Sequence, residues 1–129
     1  MRKNIIIAIL IIVISLLTIP RLLPNNEGVK QKVWTVDDSK SYAQDKLLEW
    51  HQQQWKCLTQ LWGKESAWNP KAYNKIKVMG KNAGGIPQLL GLDPQTPPTL
   101  QIERGLDYIY NRYKTPCVAW YHFKKKGWH

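Results

Sequence analysis

Hydrophobic and polar positions divide the chain into three regimes. Ile5 to Ile19 is an apolar run in which only Ser15 and Thr18 are polar. From Ser41 the pattern changes: Leu47, Leu48, His51, Trp55, Leu58, Leu61, Trp62 and Glu65 recur in steps of three and four, the period of a helix with one face on a core. This spacing predicts a helical stretch, broken near Gln52 to Gln54, that ends around Ser66, with Asn69-Pro70 marking its exit. A second stripe, Leu100, Ile102, Leu106, Ile109, Tyr110 and Tyr113, predicts a later helix whose first turn suits Pro97 and Pro98. Thr115-Pro116 opens a last helix through Phe123, after which Lys124-Lys125-Lys126-Gly127 frays. The polar stretches between these elements read as connections. Lys71 to Gly85, with Asn74, Gly80, Asn82 and Gly84, is a loop, and Asp93 to Pro98 is a rigid connector. Val33 to Val36 reads as a short strand and Ile86 to Gly91 as a short helix. The fold class expected is mainly α, a small helical domain over residues 39–129 behind a polar linker (24–38) and an N-terminal hydrophobic segment (1–23).

The first regime is an address more than a structure. Arg2 and Lys3 precede the apolar run, which is the pattern of an export signal. The run holds fifteen residues, short of the roughly 20 that a full span needs, although Leu22 and Leu23 extend it. No small-x-small cleavage site follows, so an uncleaved signal-anchor is expected first and a cleaved signal peptide second. Basic residues before the run keep the N-terminus inside, and everything after it faces out of the cytoplasm. Cys57 and Cys117 both lie in the exported part, where an even cysteine count predicts a disulfide. Two cysteines so far apart match no zinc spacing, and no metal or other cofactor is expected.

Net charge is +10, and from Ser39 onward 14 Lys/Arg stand against 6 Asp/Glu, a balance of +8. Such a field draws anionic polymers of any kind: nucleic acid, acidic lipid or an acidic cell wall. The export signal removes nucleic acid as an expected partner, and no groove-reading helix or aromatic-basic motif asks for it. Seven Trp and six Tyr accompany a single Phe. Those side chains pair a flat apolar face with a polar edge, which suits both tight cores and sugar-stacking clefts.

Glu65 is the acid that stands out. It shares a helix face with Leu58, Leu61 and Trp62, so its carboxyl faces a core or a cleft wall. Such surroundings disfavour the charged form, as a general acid requires. The structural alternative is a helix-closing Glu paired with Lys64, Lys71 or Arg104. Asp45 and Glu49 read as a solvated face and Asp93 as a turn residue. Glu103 and Asp107 flank the second stripe, where either could supply a second carboxylate. His51 reads as a packed core histidine; His122 is placed to reach a cleft but has no convincing nucleophile beside it.

Five blocks arrive in order: Leu61-Trp62-x-x-Glu65-Ser66-x-Trp68-Asn69-Pro70; Gly85-Ile86-Pro87-Gln88; Gln101-Ile102-x-x-Gly105-Leu106-x-Tyr108-Ile109; Arg112-Tyr113; and Pro116-Cys117-x-Ala119-Trp120-x-His122. Together they resemble the soluble lytic transglycosylase domain, a relative of goose-type lysozyme, in its short, Trp-rich, Cys-containing form of secreted actinobacterial-type and phage proteins. The resemblance spans Ser41 to Trp128. It implies a small lysozyme-like fold and assigns Glu65 as the catalytic acid/base. It further implies that Gly85, Ile86 and Gln88 line the substrate groove, that Ser66 contacts substrate, and that Tyr108 hydrogen-bonds near the reaction centre. Gly105 is read as a packing glycine, and both cysteines fall where this variant has its own.

The activity implied is cleavage of the β-1,4 bond between N-acetylmuramic acid and N-acetylglucosamine in peptidoglycan, by one Glu acting first as acid and then as base. The product is a 1,6-anhydro ring, or an ordinary reducing end if water enters. Most glycosidases use two carboxylates; this family manages with one. Expected partners are glycan strands, a membrane through the N-terminal segment, and acidic wall polymers. Two departures stand out. Asn74 to Asn82 is longer and more basic than the family block, and Lys114 occupies a position where Gly usually ends the helix. A non-catalytic glycan-binding module of the same fold is the alternative reading, and a cationic membrane-active or nucleic-acid-binding protein the third.

Overall fold

Thr35 starts the fold by capping a helix. Its hydroxyl accepts the Asp38 amide and the Asp38 carboxylate accepts the Thr35 amide in return, a capping box that opens α1 (Val36–Lys46). A computed structural model describes residues 32–47 and 50–129. The expected N-terminal anchor, most of the linker, and Leu48 and Glu49 lie outside the described residues. Among the described residues no helix is long and apolar enough to cross a membrane. One compact unit runs from Val33 to His129. Its first helix therefore begins inside the stretch read as a linker, and Val33 to Val36 is a helix entry, not a strand.

The first helix ends at Lys46 and α2 covers Gln52–Ser66, so the break comes just ahead of the expected place. His51 is the residue before α2 and is exposed, not packed in the core as its spacing suggested. The apolar face of α2 behaves as its period requires, with Leu58, Leu61 and Trp62 fully buried. Its end is fixed by a reversal. Ala67 and Trp68 both adopt positive φ (52° and 61°), and their amides donate to the carbonyls of Gly63 and Trp62. Trp68 thereby folds back onto the helix, edge-on to Trp62 at 5.1 Å, with its indole N–H on the Thr59 carbonyl.

The long loop closes in a short antiparallel hairpin, β1 (Ala83–Gly84) on β2 (Leu89–Leu90), with Ala83 opposite Leu90. This replaces the helix expected over Ile86 to Gly91. The Ile86 amide goes to the Gln101 side chain and its carbonyl to Ser66, while Gly85 and Gln88 take positive φ (71° and 52°). Those backbone groups are no longer free to build a helical turn.

Pro98 sits in the first turn of α3 (Pro98–Tyr113), and Thr115 caps α4 (Pro116–Lys126). The last helix keeps all three lysines before Gly127 ends it in the left-handed region, so the expected fraying does not occur. Within α3, Ile102, Ile109 and Tyr113 reach the core, whereas Leu100 and Tyr110 of the same stripe are exposed. Gly105 is where α3 comes closest to its neighbours: a Cβ there would lie 2.7 Å from both Pro87 Cβ and Trp62 Cζ2. The architecture is a small, mainly helical domain with one two-stranded hairpin, in which α4 packs on α2 and α3, and α1 on α3. A disulfide joins Cys57 of α2 to Cys117 of α4 across sixty residues of sequence, worth about 4 kcal/mol in the chain-entropy account.

Candidate active site

Glu65 occupies the last turn of α2, two residues before the reversal at Ala67. Its side chain is 16% exposed, and Oε1 lies 2.7 Å from Nδ1 of His129, whose own side chain is 1% exposed. Among the described residues Oε2 carries no hydrogen bond, and Glu65 pairs with none of Lys64, Lys71 or Arg104. Lys71 donates instead to Gln95.

Ser66 continues the same helix end, but its hydroxyl points into the fold, donating to the Ile86 carbonyl at 2.6 Å with the Trp62 carbonyl at 3.3 Å. It holds the turn that carries Gln88 instead of facing open space. Ile86 is fully buried, and its amide donates to Gln101 Oε1. The buried Gln101 amide reaches the carbonyls of Pro70 and Thr96 from its other end, so one side chain pins three connecting segments. Gly85 is required here. Its φ is +71°, and a Cβ would stand 2.4 Å from that same Gln101 Oε1. Gln88 donates its side-chain amide to the Gly85 carbonyl and faces the groove.

Tyr108, half-buried on α3, meets His129 edge-on at 5.8 Å and Tyr113 at 6.2 Å. Burial, more than the neighbouring Tyr113 or Glu65, pushes its phenol above the ordinary range and keeps it an O–H. Gln88, Tyr108 and His129 share a groove of about 460 Å³ with Val78, Met79, Leu89, Leu90, Arg112 and Trp128. Its rim on one side is the basic loop flagged in the sequence. Val78 and Lys81 exchange backbone hydrogen bonds across a Met79-Gly80 turn, leaving Met79 89% exposed.

Of the residues singled out in the sequence, Glu65, the turn from Gly85 to Gln88 and Tyr108 lie near one another, linked through Ser66 and His129. Sequence reading does not name Trp128 and His129. Gly127 is the signal that could have found them: a glycine just past a helix redirects the chain, and aromatic residues after it then pack back. Trp128 does so, meeting the His122 ring at 4.5 Å with the Arg112 guanidinium 5.4 Å over its face.

The other candidate acids lie elsewhere. Glu103 binds Tyr42 and Lys46 of α1, Asp107 is exposed, and Asp93 accepts the Gln95 amide in a turn. Among the described residues no three His, Cys, Asp or Glu side chains come together to hold a metal ion. The chain matches no protein-family model, no curated protein and no solved structure.

Proposed function

We propose that this chain is an exported peptidoglycan lytic enzyme with a lysozyme-like fold, cleaving the bond between N-acetylmuramic acid and N-acetylglucosamine with Glu65 as its acid and base. The observation that carries this reading is a mostly buried carboxyl at a helix end, beside an aromatic-lined groove, with one oxygen free of internal hydrogen bonds.

The chemistry follows from that placement. Glu65 gives its proton to the glycosidic oxygen as the C1–O bond breaks, and the sugar's N-acetyl group helps to hold the oxocarbenium-like centre. The carboxylate then takes a proton from the C6 hydroxyl while that oxygen bonds to C1, closing the 1,6-anhydro ring and returning Glu65 to its acid form. Among the described residues the groove lining itself holds no Asp or Glu, and Glu65 adjoins it through His129, so no second carboxylate is at hand for the usual pair. Tyr108 and Trp128 offer faces on which sugar rings stack. The net positive charge favours a wall rich in acidic polymers. The N-terminal apolar run, as an anchor or signal, would deliver the domain there.

The test is mass spectrometry of peptidoglycan incubated with the full chain in mild detergent, beside a Glu65→Gln control. Gln retains an acceptor for His129 but has no proton to give. Anhydro-muramoyl ends that vanish in the control support the reading, and ordinary reducing ends make the enzyme a lysozyme. Binding to glycan without release by either protein would make it a binding module.

A further inference from the structure

We propose that His129 is a positioning residue for Glu65, whose Nδ1–H holds Oε1 and so reserves Oε2 as the oxygen that gives and takes back the proton. The inference rests on the reading of Glu65 as the acid and adds the division of labour between its two oxygens.

The geometry begins with the ring's surroundings. Nδ1 is 2.7 Å from Oε1, and Nε2 is buried with no partner among the described residues. Tyr108 meets the ring edge-on and Tyr113 lies tilted to it, with centroids at 5.8 and 6.5 Å. A buried N–H without an acceptor is rarer than a buried lone pair without a donor. The hydrogen of a neutral imidazole therefore belongs on Nδ1, where an acceptor waits. With Oε1 accepting that hydrogen, a proton carried by Glu65 takes Oε2, the oxygen left free.

The segment carrying His129 is held from two helices. The Trp128 carbonyl accepts from Nδ1 of His122 at 2.9 Å, on α4, and the Trp128 ring lies under Arg112 of α3. Gly127, at φ +78°, makes the turn that brings both residues back over the site. The imidazole is thus oriented before any ligand arrives.

This arrangement favours the transition state over the resting acid. As the proton leaves Oε2 for the glycosidic oxygen, negative charge spreads onto Oε1, and a hydrogen bond to a carboxylate is stronger than one to a neutral acid. In the second step Oε2 takes the proton of the attacking hydroxyl while Nδ1–H stays on Oε1. No step of the cycle asks His129 to give or take a proton.

The experiment compares full-length wild type, His129→Phe and His129→Asn on peptidoglycan strands, with melting temperatures measured alongside. Phe keeps the ring and loses the donor; the Asn amide restores a donor close to the place of Nδ1. We expect kcat to fall about tenfold or more in H129F, as for loss of one hydrogen bond to a charged group, with KM little changed and with partial recovery in H129N. Adding H129F to Glu65→Gln should cost nothing more. Wild-type or raised kcat in H129F, or no recovery with Asn, overturns the proposal while the enzyme reading stands. A wild type that releases nothing overturns both. Long-range proton–nitrogen NMR of the folded wild type is the check that needs no variant: hydrogen on Nδ1 is expected, and hydrogen on Nε2 alone overturns the assignment.

Discussion

The Ser66 hydroxyl donates to the Ile86 carbonyl, so the residue beside the candidate acid fastens the end of α2 to the turn that carries Gln88. The contact relates two parts of the site that are twenty residues apart in sequence. Ile86 is fully buried, and its carbonyl would lose a strong partner if the hydroxyl were absent. Ser66→Ala is expected to cost about 1–3 kcal/mol, the usual penalty for a buried group left unsatisfied. On the proposed function, turnover should fall with it as the turn from Gly85 to Gln88 loosens from α2. Urea denaturation and glycan release on the same preparation check this; unchanged stability would mean that Ser66 has another task.

Gly105 is a contact point between helix and turn. A methyl group added there meets Pro87 and Trp62, both rigid and both fully buried. Gly105→Ala should therefore destabilise the domain by about 1–3 kcal/mol through overpacking, despite alanine's better helix propensity. The denaturation midpoint should drop with the slope unchanged. A midpoint at or above the wild-type value would show that α3 can retreat without loss.

Lys114 ends α3 at φ +68° and ψ −39°, a conformation that L side chains seldom adopt. Its ammonium lies 5.5 Å over the Tyr110 ring, an exposed contact that offers little in exchange. Lys114→Gly relieves the strain and loses some through a more flexible unfolded chain, for a net gain of up to about 1 kcal/mol. Thermal melts compare the two directly, and a lower Tm for the glycine variant would refute the assignment of strain.

Glu103 supplies a pH dependence. The hydrogen bond from Tyr42, and after it the Lys46 ammonium, hold its carboxyl below the ordinary value of 4.5. A carboxyl lowered in the folded state adds stability above its unfolded value and loses that contribution as pH falls through the folded one. Docking of α1 on α3 should weaken on acidification below pH 4.5. Glu103→Gln, which lacks the ionisation, should show a smaller drop in Tm over the same interval. Equal drops would place the acid sensitivity elsewhere.

Much of the helical framework is legible because it depends on local periodicity. Leu58, Leu61 and Trp62 announce the buried face of α2, and Pro98 announces the start of α3. Glu65 is legible for the same reason, as a charged residue on an apolar face. The hairpin is not. Whether Ile86 to Gln88 continues a helix or turns left-handed is decided by Ser66 and Gln101, which bind the Ile86 backbone from other elements. His129 is illegible for a related reason. Its pairing with Glu65 spans sixty-four residues and depends on how α4 lies against α2. His51 shows the opposite error, since a residue in phase with a stripe leaves the core once the helix starts after it.

The disulfide has a bearing on when this site can exist. Cys57 lies on the helix that ends in Glu65, and Cys117 opens the helix that leads to His129. Oxidation therefore links the two halves of the acid's surroundings through a covalent crosspiece about 12 Å from Glu65 along α2, at eight residues of helix. In a reducing solution the same helices would be held by packing and by the hydrogen bond from the Cys117 amide to Gln54 Oε1, and a domain this small has little stability in reserve. The thiol–disulfide state of the surroundings therefore bears on how firmly Glu65 and His129 are held to one another.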